Sequence, residues 1–142
     1  MKYFFMEPEV AGGLGKNTIM DRSTHPPIVS KLHYEFDGWL GDAILESFPS
    51  FIVTDEARRN LQAVGATGAA FGTVEITASE SLRERQPGLK LPAFVWLQVK
   101  GVAGRDDFGI AQDGRLVVSE RALDILRPLG LSHADLSNFG EP

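Results

Sequence analysis

The chain has 142 residues, no cysteine, and a formal net charge of -5 from 19 acidic and 14 basic side chains. This length is sufficient for one domain with its own hydrophobic core. The absence of cysteine excludes disulfide scaffolds, thiol catalysis and cysteine-ligated zinc. The composition, with 43% hydrophobic and 23% charged residues, is typical of a globular domain, and the negative charge argues against direct nucleic-acid binding.

The apolar N-terminal segment is shorter than a signal peptide requires. Residues 3–6 are hydrophobic, but Glu7 and Pro8 end the run, whereas the apolar region of a signal peptide needs roughly 7 to 15 residues. No other segment approaches the roughly 18 apolar residues of a membrane span. We therefore expect a cytoplasmic protein with no membrane contact.

Alternating apolar and polar residues predict a β-sheet with two principal helices packed on it. The glycine-rich residues 11–18 fit neither a P-loop nor a dinucleotide fingerprint and predict a turn. Asp42 is expected to cap a short helical turn. The predicted fold class is α+β, one domain over residues 1–142 with a mixed or antiparallel sheet. Its strands are expected near residues 2–6, 31–36, 50–53, 73–77, 94–99 and 115–118.

A self-similarity at an offset of 65 residues relates residues 51–65 to residues 116–130. In each copy a β-rich run ends on a hydroxyl residue, Thr54 or Ser119, which is suited to accept N–H groups of a new helix. Apolar residues then recur at helical spacing, and a glycine ends the helix. Pro128 predicts that the second helix ends early or bends. Internal duplication and convergence on a common strand-to-helix pattern both explain the similarity.

Two groups of side chains are candidates for metal or acid–base chemistry. His33, Glu35 and Asp37 alternate along a predicted strand and would share one face, although a solvated strand face explains them as well. Asp106 and Asp107 are adjacent carboxylates in a loop, where they can cap, turn, face a basic partner or bind a metal. Both groups lack the spacing of a known catalytic motif, and the chain has no HExxH or GxSxG sequence.

Trp39 stands in an acidic, glycine-rich segment between Asp37 and Asp42. A tryptophan in such a segment can anchor a protein interface with carboxylates steering the partner. It can equally belong to the core beside a turn. The sequence leaves both interpretations open.

Six short segments of the chain carry a resemblance to known proteins. They are residues 6–15, residues 32–41 with Trp39, and residues 46–49, 96–97, 106–109 and 116–119. Together they resemble a family of bacterial polymorphic-toxin immunity proteins, named after a myxobacterial protein and formerly a domain of unknown function. The resemblance implies a small protein, encoded beside a toxin, that binds the toxin domain and blocks it. It implies no catalytic residue and no cofactor, and it identifies no position that contacts the toxin.

The expected function is therefore that of an immunity protein, not an enzyme, which neutralises a cognate toxin domain by stoichiometric binding. We expect its interface to include the acidic and aromatic residues Asp37, Trp39, Asp42, Asp106 and Asp107. A competing hypothesis is a small metal-dependent hydrolase that uses His33, Glu35 and Asp37, or the Asp106–Asp107 pair. An adaptor domain of a larger assembly is a third possibility that the sequence does not separate from the first.

Overall fold

The computed structural model describes residues 1–140, which form 13 β-strands, three α-helices and one 3-10 helix. In this part of the chain no helix has the length and apolar character needed to cross a membrane. The helices are α1 (Asp55–Ala63), α2 (Glu80–Arg85) and α3 (Glu120–Leu126), and the 3-10 helix is Arg127–Leu129. The strands are β1 (Tyr3–Glu7), β2 (Gly12–Leu14), β3 (Ile19–Asp21), β4 (Ile28–Lys31), β5 (His33–Phe36), β6 (Ile44–Ser47), β7 (Ser50–Thr54), β8 (Ala69–Gly72), β9 (Glu75–Ala78), β10 (Phe94–Val99), β11 (Phe108–Ile110), β12 (Leu116–Ser119) and β13 (Asp135–Asn138).

Two four-stranded antiparallel sheets form the centre of the fold. Their strand orders are β11-β12-β1-β13 and β6-β7-β10-β8. A three-stranded sheet, β2-β5-β9, contains the parallel pair β5 and β9, and β3 and β4 form a separate two-stranded sheet. The α+β class is confirmed, and β10, whose sequence is strongly apolar, is an inner strand of its sheet. The expectation of one sheet is wrong, because the strands are divided among four.

Two strands occur where the sequence predicts turns. The glycine-rich segment predicted as a turn contains β2. The helical turn predicted after Asp42 is wrong, because the residues that follow form β6. The glycines of β2 and its extension permit an approach to β5 that other residues would prevent. A Cβ on Gly12 would collide with the Glu35 carbonyl, and one on Gly15 would collide with the His33 ring. Glycine therefore serves close strand packing here.

The self-similarity at an offset of 65 residues corresponds to two structural units with the same strand pairing. We define the first unit as β6, β7, α1 and β8, and the second unit as β11, β12, α3 and β13. The Thr54 N–H donates to the Ala43 carbonyl at 2.9 Å. In the second unit the Ser119 N–H donates to the Asp107 carbonyl, also at 2.9 Å. The expected early end of the second helix is confirmed, since α3 stops at Leu126 before the 3-10 turn that contains Pro128.

The sheet of each unit includes one strand that does not belong to that unit. β10 directly precedes the second unit but lies between β7 and β8 of the first. β1 precedes the first unit but lies between β12 and β13 of the second. In the first sheet, Trp96 of β10 pairs with Ile52 and Gly72. In the second sheet, Phe5 of β1 pairs with residues 117 and 137, which lie 65 positions after those two residues. The two inner strands therefore pair with equivalent positions of the two units. The two units are thereby interlocked.

Two hydrophobic clusters stabilise this arrangement. The larger lies between the two four-stranded sheets and the helices α1 and α3, which contact each other. The smaller lies under the three-stranded sheet, and it includes Tyr34 and Phe36 on the face of β5 that the alternation predicts to be buried. Other fully buried side chains are Met6, Ile44, Leu61, Phe108 and Leu126 in the larger cluster and Leu45, Ile52 and Leu82 in the smaller.

Thr54 and Ser119 offer a matched test of the two units. Each hydroxyl oxygen accepts the N–H of the third residue after it, Ala57 at 3.1 Å or Ala122 at 3.0 Å. Ser119 also donates its hydroxyl proton to the buried Asp107 carboxylate at 2.6 Å. We expect Thr54→Ala to lower the free energy of unfolding by about 1 kcal/mol, and Ser119→Ala by about 2 to 3 kcal/mol. Urea unfolding measures both losses, and equal losses would contradict the second role of Ser119.

Candidate functional site

A groove lies between the β1–β2 connection and the β5–β6 connection. Its walls are residues 9–13 and 37–40, and its volume is about 550 Å³. The two connections are held together because the N–H groups of Asp37 and Gly38 donate to the Ala11 carbonyl, at 2.8 and 3.2 Å. Val10 and Leu40 in the walls are 66% and 67% exposed. The groove therefore presents apolar side chains to solvent beside ordered backbone.

Trp39 forms part of the groove wall and part of the smaller core. Its indole Nε1–H donates to the Asp42 carbonyl at 3.0 Å. Its ring packs edge-on against Phe94 with the centroids 6.0 Å apart. The side chain is half-buried, so one part of the indole is held by the core and the rest lines the groove. The structure thus combines the two positions that the sequence leaves open for this residue.

Asp37 places an exposed carboxylate in the groove wall. It accepts the Ser79 hydroxyl at 2.6 Å and forms an ion pair with Arg85 at 3.4 Å. Arg85 also donates to the Asp37 carbonyl at 2.8 Å. Because both charged side chains are more than half exposed, this pair contributes little to stability and leaves the carboxylate accessible.

Glu9, Asp42 and His133 meet beside this groove. One ligand atom from each lies within 4.8 Å of the other two. The exposed fractions of Glu9 and Asp42 are 6% and 1%, whereas His133 is exposed. Sequence reasoning missed this cluster because 33 residues separate Glu9 from Asp42 and 91 separate Asp42 from His133. No local spacing relates three such positions.

The cluster is held in place by backbone N–H groups. The Glu9 carboxylate accepts the N–H of Leu40 at 2.7 Å and that of Asp42 at 3.2 Å. The Asp42 carboxylate accepts the N–H of His133 at 2.9 Å and lies 3.3 Å from its ring Nδ1. The two carboxylates therefore fix the β5–β6 connection and the loop that follows α3.

Asp107 occupies a second buried acidic site and is 4% exposed. Its carboxylate accepts the Thr67 N–H at 2.8 Å and the Ser119 hydroxyl at 2.6 Å, and it pairs with the guanidinium of Arg121. Burial alone would raise the pKa of this carboxyl. The hydrogen bonds from Arg121, Ser119 and Thr67 outweigh burial and lower the pKa of Asp107 to about 2.

Asp42 and Asp107 have equivalent roles in the two units. Each lies just before the first strand of its unit, and each accepts a backbone N–H from the loop after the helix of the other unit. Those N–H groups belong to Thr67 and His133. Both carboxylates are thus buried and bonded within the chain, whereas the sequence predicts them at an interface with a partner. Asp106 is half-buried and accepts the Val102 N–H at 2.7 Å within its own loop.

His33, Glu35 and Asp37 do not form one site. The His33 ring is buried, its Nδ1 accepts the Asn17 N–H at 3.2 Å, and its Nε2 lies 2.7 Å from the Thr77 hydroxyl. A neutral ring that accepts at Nδ1 carries its proton on Nε2, so both nitrogens are engaged. Glu35 is exposed, and Asp37 binds Ser79, which precedes α2, and Arg85 on α2. Glu35 and Asp37 are exposed, as a solvated strand face predicts, but His33 is buried and packs against Gly15.

The lowered pKa of Asp107 predicts a pH-dependent contribution to stability. Because the pKa falls from its ordinary value of 3.8 to about 2 on folding, the contribution is complete above about pH 4 and is lost as the pH falls through 2. We expect Asp107→Asn to lower the free energy of unfolding by about 2 kcal/mol at pH 7, and by progressively less between pH 4 and pH 2.

Urea unfolding across this pH range measures the difference between the wild-type protein and the variant. Asp106→Asn is the matched control, because the Asp106 carboxylate accepts an N–H in an exposed loop and has no ion-pair partner within residues 1–140. A difference for Asp107→Asn that does not change with pH would contradict the assignment.

Comparison with known proteins does not assign the chain to a family. No protein-family model matches the chain, and a search of the curated proteins finds no significant match. What the protein does is therefore inferred from its own residues.

Proposed function

We propose that this chain is an immunity protein that binds a cognate toxin domain in the cytoplasm and blocks it by occupying its surface. The observation that carries the proposal is the groove formed by residues 9–13 and 37–40, which combines an anchored indole, exposed aliphatic side chains and an accessible carboxylate. The resemblance of the sequence to immunity proteins supports the same function. No catalytic role is assigned to any residue under this proposal.

The side chains of the groove have the properties of an interface anchor. Trp39 is fixed by the hydrogen bond from its indole to the Asp42 carbonyl and by its contact with Phe94. A side chain that is already ordered loses little conformational entropy on binding. Val10 and Leu40 lie nearby and are largely exposed, so covering them with a partner removes apolar surface from water.

The charge of the groove favours a basic partner. Asp37 is exposed in the wall, Glu35 is exposed on the adjoining strand, and the chain as a whole carries a net charge of -5. Carboxylates around an apolar anchor accelerate association with a positively charged surface. A toxin that acts on a nucleic acid or a nucleotide needs such a basic surface for its own substrate, and we propose that this surface is what the groove binds.

Co-expression with the product of the adjacent gene is the direct test. We expect the two proteins to purify together at equal stoichiometry, and we expect cells that express the neighbouring gene to survive only when this chain is present. Failure of both binding and protection would refute the proposal.

Substitutions in the groove test the proposed surface. We expect Asp37→Lys to slow association with the toxin domain by about tenfold at low ionic strength, with a smaller effect at high salt, because steering by exposed charges is screened. We expect Trp39→Ala to act mainly on dissociation, because it removes the anchor. Surface plasmon resonance at two salt concentrations measures both rates.

Asp124→Lys is the matched control for this experiment. Asp124 is also exposed but lies on α3, outside the groove, and its reversal makes the same change in net charge. If Asp37→Lys and Asp124→Lys slow association equally, the effect belongs to the overall charge and the groove is not the interface.

A further inference from the structure

We propose that Glu9, Asp42 and His133 form a binding site for a divalent transition-metal ion of the Zn²⁺ class. The cluster shares only Glu9 with the groove of the proposed immunity function, and the inference stands independently of that function. It rests on three observations: the convergence of these three ligand types, the burial of the two carboxylates, and the position of the cluster between separate segments of the chain.

The three side chains offer a suitable set of ligand atoms. An imidazole nitrogen and two carboxylate oxygens lie within 4.8 Å of one another. Ligands around tetrahedral zinc, at about 2.0 to 2.2 Å from the ion, are roughly 3.5 Å apart. Closure onto an ion therefore requires shifts of about 1 Å, which the exposed His133 ring can supply by rotation while its backbone stays bonded to Asp42.

The hydrogen bonds already present leave the carboxylates able to bind a cation. Each oxygen of Glu9 accepts one N–H, from Asp42 or from Leu40. A carboxylate oxygen has two lone-pair positions, so one remains on each. The N–H bonds orient the carboxylate in the way that outer-sphere donors orient ligands in known metal sites.

The local charge favours a bound cation. Glu9 and Asp42 are both buried, and within residues 1–140 no lysine or arginine forms an ion pair with either. The basic group that pairs with Asp42 is the imidazole of His133, which counts as a charge only when protonated. Buried carboxylates are costly unless they are paired or coordinate a metal. Asp107, the other buried acid with a matching position, has the guanidinium of Arg121.

The ligand types discriminate between metals. Mg²⁺ and Ca²⁺ prefer sites made of oxygen alone, whereas an imidazole with two carboxylates suits Zn²⁺ and similar ions. With three protein ligands, one coordination position remains for water or for a group from outside. Glu9 also lines the groove and the His133 side chain is exposed, so the cluster lies close to solvent.

Titration of the metal-free full-length chain with zinc chloride tests the site. The protein is first treated with a chelator, which is then removed, and isothermal titration calorimetry measures stoichiometry and affinity. We expect one Zn²⁺ per chain, an increase in melting temperature on binding, and weaker binding of Mg²⁺. Wild-type protein that binds no Zn²⁺ would overturn the proposal.

His133→Ala and Glu9→Gln remove one ligand each. We expect each to weaken Zn²⁺ binding by at least about tenfold. His133→Ala keeps the backbone N–H that donates to Asp42, so its fold is expected to persist, and circular dichroism verifies this for both variants. His25→Ala is the matched control, because His25 is an exposed histidine in the β3–β4 connection, away from the cluster.

The outcomes separate a built site from chance binding by histidine. Loss of affinity in His133→Ala and Glu9→Gln, with His25→Ala unchanged, supports the site. Equal losses in His133→Ala and His25→Ala, or unchanged binding in Glu9→Gln, would overturn it. Because the measurement uses the chain without any toxin, its failure leaves the proposed immunity function untouched, and failure of toxin binding leaves the metal result untouched.

Discussion

The interlocking of the two units is the constraint on which the rest of the structure depends. β1 completes the sheet of the second unit, and β10 completes the sheet of the first. Neither sheet is continuous without a strand from elsewhere in the chain, because the inner strand supplies hydrogen bonds to both neighbours. The buried faces of both sheets and the contact between α1 and α3 then form one core. The pairing of β1 joins residues more than 100 positions apart, so the fold depends on long-range contacts.

Two buried aspartates at equivalent positions of the two units strengthen the contact between the units. Asp42 and Asp107 each tie the start of one unit to the loop after the helix of the other. They differ in how their charge is balanced. Asp107 has the guanidinium of Arg121, whose hydrogen bonds help to lower its pKa to about 2, whereas Asp42 lies beside a second buried carboxylate, Glu9, and an imidazole. The same architectural position therefore serves a structural ion pair in one unit and a candidate metal site in the other.

The groove used in the proposed function also depends on the way the two units are connected. The β1–β2 connection follows β1, the inner strand of the second unit's sheet. Glu9 in this connection holds the β5–β6 connection, because its carboxylate accepts the N–H groups of Leu40 and Asp42. Trp39 is thereby positioned between the smaller core and solvent. An interface anchor on this segment would be rigid before any partner arrives, since its supports are buried. The proposed partner surface and the proposed metal site thus share one scaffold, and Glu9 is the one side chain that belongs to both.

Local patterns in the sequence determined the α+β class, the capping residues Thr54 and Ser119, the buried face of β5 and the early end of α3, because these features depend on neighbours within a few residues. The tertiary structure decided which strands share a sheet, and it buried His33, Asp42 and Asp107, whose partners lie 12 to 91 residues away. It also brought Glu9 to His133. From its local sequence alone a polar residue is predicted to be exposed. It can be buried only when residues distant in the chain form hydrogen bonds with it, and the sequence does not show which residues these are.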